Sequence, residues 1–138
     1  MIKNIYYTIW IDCILQLRKQ PFNKDSWKWK SMMIISLAMS LNFMLIIALL
    51  GLVFDFPKNY VVQINIFAGS ILDSLLSFMI LYGLPVVLFN YFMIFYKDKY
   101  EILRKKYAFF HGRYFLVYFF LSLGIPFILM LLVLFIQN

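Results

Sequence analysis

The sequence predicts an all-α integral membrane protein. Three transmembrane helices are expected, with an N-terminal amphipathic helix before them and a basic cytoplasmic helix between the second and third. Three observations carry this. Nonpolar types fill 64% of the 138 residues and charged types only 14%, whereas a soluble domain carries about 25% charged residues. Three apolar stretches each reach the roughly 20 residues that cross a bilayer. The thirteen Lys and Arg residues are shared very unevenly among the connecting segments. Residues 1–138 read as a single membrane domain.

Residues 1–19 read as a helix that does not span. Asn4, Thr8, Asp12 and Gln16 recur every four positions and make one polar line. Ile2, Tyr6, Ile9, Trp10, Cys13 and Leu17 fall on the other side. The expectation is an amphipathic surface helix, in the headgroup plane or against the bundle, ended by Pro21. Asp12 breaks the apolar run after Lys3 and no small-x-small cleavage motif follows, so this segment is expected to be retained. Trp27 and Trp29, flanked by Lys28 and Lys30, suit an interfacial aromatic belt.

The expected spans are 32–54, 70–96 and 114–136. The first and third hold no charge and the second holds one, Asp73. Between the first two spans, Val62, Ile64 and Ile66 alternate with Gln63 and Asn65, the period of an extended segment. In the basic stretch 97–113, Tyr100, Leu103, Tyr107 and Phe110 fall at three- and four-residue steps. Glu101 stands four residues from both Lys97 and Lys105. A helix ending at Gly112 is expected. The third span has little length beyond a crossing to accompany a projecting helix, so this helix is expected to lie on the surface.

Charge sets the direction. Six basic residues precede the first span (Lys3, Arg18, Lys19, Lys24, Lys28, Lys30). Six lie between the second and third (Lys97, Lys99, Arg104, Lys105, Lys106, Arg113), and Lys58 alone lies between the first two. Short loops rich in Lys and Arg stay cytoplasmic, which places the N-terminus inside and the C-terminus outside. This topology accounts for the net charge of +7, so no nucleic-acid partner is expected. Lysine outnumbers arginine 10 to 3, a bias that suggests an AT-rich bacterial genome and therefore an inner membrane.

Polar groups within spans are where membrane chemistry shows. Ser70, Asp73, Ser74 and Ser77 share one face of the second span and form a candidate polar seam. Ser70-x-x-Asp73 also fits a helix-capping arrangement, the preferred reading. Asn42 and Asn90 are expected to bond between helices. Ser36, Ser40 and Gly51 mark a side where another helix can approach closely. Gly83-Leu84-Pro85 and Gly124-Ile125-Pro126 are expected mid-span kinks that free the carbonyls of Leu81 and Ser122.

One cysteine (Cys13) and one histidine (His111) make neither a disulfide nor a recognisable metal site. Cys13 is expected to pack and His111 to meet headgroups. The sequence has no catalytic triad, phosphate loop or paired intramembrane carboxylates, so neither an enzyme nor a cofactor is expected. The expected role is a non-catalytic subunit or accessory protein of a larger inner-membrane complex. Its partners would be membrane lipids, including anionic headgroups at the cytoplasmic face, and a larger membrane protein. Trp10, Trp27, Trp29, Tyr100, Leu103, Tyr107 and Phe110 are the candidate docking residues. The alternatives are a small self-assembling channel or carrier built on the kinked helices, and an immunity-type membrane protein.

Overall fold

The computed structural model describes residues 2–23, 25–54, 66 and 71–137. Among them the chain is almost entirely helical, with no strand: α1 (Ile2–Lys19), α2 (Trp27–Phe54), α3 (Ile71–Phe78), α4 (Leu84–Asn90), α5 (Lys99–Lys106) and α6 (Arg113–Gln137). Two π-helical turns, Met79–Gly83 and Tyr91–Phe95, join α3 to α4 and extend α4. Of the alternating segment before the second expected span, Val62–Asn65 lie outside the described residues, as does Lys58. Ile66 is described, and it is exposed.

α2 is the organising element. Leu, Met, Ile and Ala cover it on every side, and neither proline nor charge interrupts it after Lys30, so propensity and length both favour one long helix. It packs against α4 and the Met79–Gly83 turn on one side and against α6 on the other. Trp27 and Trp29, expected just outside a span beginning at 32, stand in its first turn.

Two helical stretches, Trp27–Gly51 and Ile71–Lys106, are long and apolar enough to cross a membrane. The core helix of a soluble protein meets the same test but is mostly buried. Here only 22% of the first apolar window and 11% of the second are covered by the rest of the chain. α6 is an apolar helix of 25 residues and leaves Val117, Phe120, Phe127, Ile128 and Leu132 more than half exposed.

α1 departs from expectation. It forms a helix, but not one with a solvent-facing polar line. Trp10, Ile11, Asp12 and Cys13 are fully buried and Ile14 is 1% exposed, so the helix is enclosed around its whole circumference at that level. α2, α5 and α6 all pack on it. Of the two expected placements α1 takes the one against the bundle, and the polar line departs from expectation at Asp12, which has polar partners inside the fold.

The basic segment is also corrected. α5 stops at Lys106, and Tyr107 is extended (φ −108°, ψ 137°). Tyr107 and Phe110 thus do not continue the face that carries Tyr100 and Leu103. Gly112 does not stop that helix. It follows His111 in a turn where both have positive φ, 58° and 79°, and this turn leads into α6. Before α5, Lys97 and Asp98 both take the left-handed conformation (φ 53° and 51°), which reverses the chain at the end of the second long helix. The Glu101 carboxylate turns away from Lys97 and Lys105 to meet Arg18 of α1 at 3.3 Å and Arg104 at 3.1 Å.

Candidate functional site

Three sets of polar groups each tie separate parts of the chain together. The first centres on Asp12. Its Oδ1 accepts from the backbone N–H of Phe110 (2.9 Å) and Gly112 (2.9 Å), and its Oδ2 from Tyr114 (3.0 Å) and Phe115 (3.3 Å). A helix start leaves its first N–H groups unpaired and carries partial positive charge. α6 begins at Arg113, so a carboxylate supplied by another helix performs the capping that a local Ser or Asp usually performs. Sequence reasoning missed this role. The available signal was a single carboxylate inside the run Trp10-Ile11-Asp12-Cys13-Ile14, where a charge has to find donors.

The second set joins α1, α2 and α4. Asn90 is fully buried; its Nδ2 donates to Ser36 Oγ (2.9 Å) and its Oδ1 accepts from the Tyr6 hydroxyl (2.8 Å). Ser40 Oγ, one turn from Ser36, lies 2.6 Å from the Ser36 carbonyl and 3.3 Å from the Tyr82 carbonyl. The third set joins α2 to α6. Asn42 Nδ2 donates to Ser122 Oγ (2.8 Å) and to the Tyr118 hydroxyl (3.2 Å).

The two Gly-x-Pro sites differ from each other. Before Pro85 the backbone forms the Met79–Gly83 π turn, with Gly83 in right-handed geometry (φ −70°, ψ −52°). A π turn with a serine from a neighbouring helix is a known way to satisfy backbone near a proline. The carbonyl that Ser40 reaches is Tyr82's, not Leu81's. Pro126 lies inside α6, which continues to Gln137. A methyl group added at Gly124 or Gly51 would meet nothing within 4 Å, so no helix crosses closely at either glycine among the described residues. Gly51 therefore does not share the close contact made by Ser36 and Ser40.

Of the candidate seam, Asp73, Ser74 and Ser77 are among the described residues. Asp73 is 4% exposed and accepts from the Ile66 N–H at 3.1 Å. Ser77 Oγ donates to the Asp73 carbonyl at 2.8 Å, Ser74 is exposed, and Ser70 lies outside the described residues.

The candidate docking residues divide in two. Trp10, Trp27 and Tyr100 are buried (0%, 9% and 7% exposed) and are not docking residues in this fold. Trp27 packs edge-on to Tyr100 at 5.2 Å, and Trp10 edge-on to Phe95 at 5.7 Å. Leu103 and Tyr107 are half-buried, and the Tyr107 hydroxyl donates to Asn4 Oδ1 at 3.1 Å. Trp29 and Phe110 are exposed. His111 stacks on Phe109 at 4.9 Å.

Cys13 is enclosed, and burial pushes its thiol above the ordinary thiol range, with the adjacent Asp12 carboxylate acting the same way. A neutral, shielded thiol is a poor nucleophile.

A groove of about 780 Å³ opens between the start of α2 and the end of the second long helix. Met32, Val87, Leu88 and Tyr91 are among its apolar lining residues, and Lys28, Lys97 and Asp98 are its charged ones. No family model, curated protein or solved structure matches this chain.

Proposed function

We propose that this chain is a three-span, non-catalytic accessory subunit of a larger inner-membrane complex, with its N-terminus in the cytoplasm and its C-terminus outside. α2, the helix from Ile71 to Phe95 and α6 are the spans. α1 and the 97–113 segment form a cytoplasmic cap, consistent with the twelve basic residues that flank the spans on that side.

One observation carries the reading. Several amides and hydroxyls within the spans are spent on neighbouring helices or on the cap: Asn90 on Ser36 and Tyr6, Asn42 on Ser122 and Tyr118, Ser40 on the Tyr82 carbonyl. A carrier needs such groups turned toward a cargo, whereas a packing subunit uses them to fix its own helices. The apolar outer faces of the three helices stay open to lipid or to another membrane protein.

Affinity purification from native membranes in mild detergent tests the role. A larger membrane protein is expected to co-purify in fixed stoichiometry, and recovery of a bare monomer would reject the proposal. A reporter enzyme fused after Asn138 tests the direction, with activity expected only outside the cytoplasm.

A further inference from the structure

We propose that the groove beside Lys28 and Lys97 holds one anionic glycerophospholipid, its phosphodiester on the lysine rim and the start of an acyl chain along the apolar wall. The inference rests on the membrane reading above and names one ligand of that same cytoplasmic face.

The argument begins with shape. At about 780 Å³ the groove falls in the size range of small-molecule sites, roughly 300–1,000 Å³. It suits a headgroup and the first part of a chain rather than a whole lipid. Its walls are Met32 on α2 and Val87, Leu88 and Tyr91 on the opposing helix. Leu88 and Tyr91 are 50% and 47% exposed, so the wall runs directly onto the outer face of the span. An acyl chain leaving the groove stays in apolar surroundings.

Charge complementarity selects the occupant. The charged lining groups are Lys28, Lys97 and Asp98, a net of one positive charge that matches the single negative charge of a phosphodiester. Asp98 Oδ1 lies 3.6 Å from Lys28 Nζ. That ammonium also lies 5.1 Å from the centre of the Tyr100 ring, so it is held at the rim. The left-handed pair Lys97 and Asp98 puts both residues at the mouth. Trp29, 67% exposed on the same rim, suits the headgroup level. A zwitterionic lipid would bring its own cation to a rim that is already cationic.

The test uses the full-length protein in detergent micelles doped with phosphatidylglycerol or phosphatidylcholine, with bound lipid counted by native mass spectrometry. One phosphatidylglycerol per chain is expected, in preference to phosphatidylcholine. The double variant Lys28→Gln/Lys97→Gln should lower retention about thirtyfold, the usual effect of two lysines at a lipid surface, with an unchanged unfolding temperature. Leu88→Trp keeps both lysines and fills the wall, and it should also lose the lipid. Retention unchanged in either variant would overturn the proposal, since a charge-only attraction survives Leu88→Trp and a nonspecific apolar one survives the lysine changes. Displacement by glycerophosphate as readily as by lipid would also overturn it, by showing a simple anion site, as would a co-purifying polypeptide protecting Lys28 and Lys97 in place of lipid. Carbonate extraction separates the two readings. A chain released from the membrane pellet rejects the membrane reading, whereas one that stays there without phosphatidylglycerol preference rejects only the groove.

Discussion

The Gly112 N–H donates to Asp12 Oδ1 at 2.9 Å across a separation of 100 residues. Three further N–H groups, of Phe110, Tyr114 and Phe115, share the same carboxylate. One side chain of α1 thus caps α6.

Asp12→Ala is expected to cost at least about 3 kcal/mol, because buried donors lose their acceptor without replacement. Asp12→Asn keeps one acceptor oxygen and should fall between the two. Thermal unfolding in mild detergent gives the order wild type, Asn, Ala.

Gly112→Ala should destabilise by about 1–2 kcal/mol. Its φ is +79° and an added methyl group would lie 3.0 Å from Gln16 Cγ. Gly124→Ala, with nothing within 4 Å, should be neutral or stabilising by up to about 1 kcal/mol. The same melts decide both.

Asn90→Leu is expected to cost about 1 kcal/mol, near the usual worth of an interhelical hydrogen bond in membranes. Tyr6→Phe made in that background should cost less than in wild type, since the hydroxyl has already lost Asn90. A double-mutant cycle reads the coupling.

Tyr100→Ala should cost about 3 kcal/mol, as expected when a buried aromatic is removed. Glu101→Gln, on the neighbouring residue, should cost less than about 1 kcal/mol, because both of its arginine partners are partly solvated. Denaturation of the two variants in parallel tests whether packing of Tyr100 on Trp27 of α2 or the Glu101 pairing with Arg18 of α1 does more to hold α5 in place.

Cys13 should resist maleimide in the native protein and react once the chain is unfolded in detergent. The folded thiol stays neutral where an unfolded thiol ionises, near its ordinary value of 9. Its contribution is therefore complete below that pH and is lost as pH rises past it. Cys13→Ala should show a shallower alkaline decline in unfolding temperature.

Much of the helical layout could be read from the sequence, for physical reasons. Uncharged runs such as 32–54 are hard to place anywhere but in long helices. The polar partners could not be read. Asn4, Thr8, Asp12 and Gln16 have the spacing of a solvated line, yet the donors that take Asp12 inside lie 98 to 103 residues away. Local spacing also suggested Glu101 with Lys97 and Lys105, but Arg18 came within reach once α5 folded back on α1. Tyr107 and Phe110 keep helical spacing, but donating the Phe110 and Gly112 N–H groups to Asp12 requires a turn there instead. At Pro85 the disturbance was legible, and the contact of Ser40 on α2 with the nearby Tyr82 carbonyl was not.

The Asp12 arrangement also bears on biogenesis. The carboxylate leaves the ribosome about a hundred residues ahead of the amides that will receive it. Until the start of α6 is made these donors are absent, so α1 reaches its final place only once α6 is present. Closure of the bundle therefore depends on residues about a hundred positions after Asp12, and a chain cut before Phe110 would leave the carboxylate without these four donors.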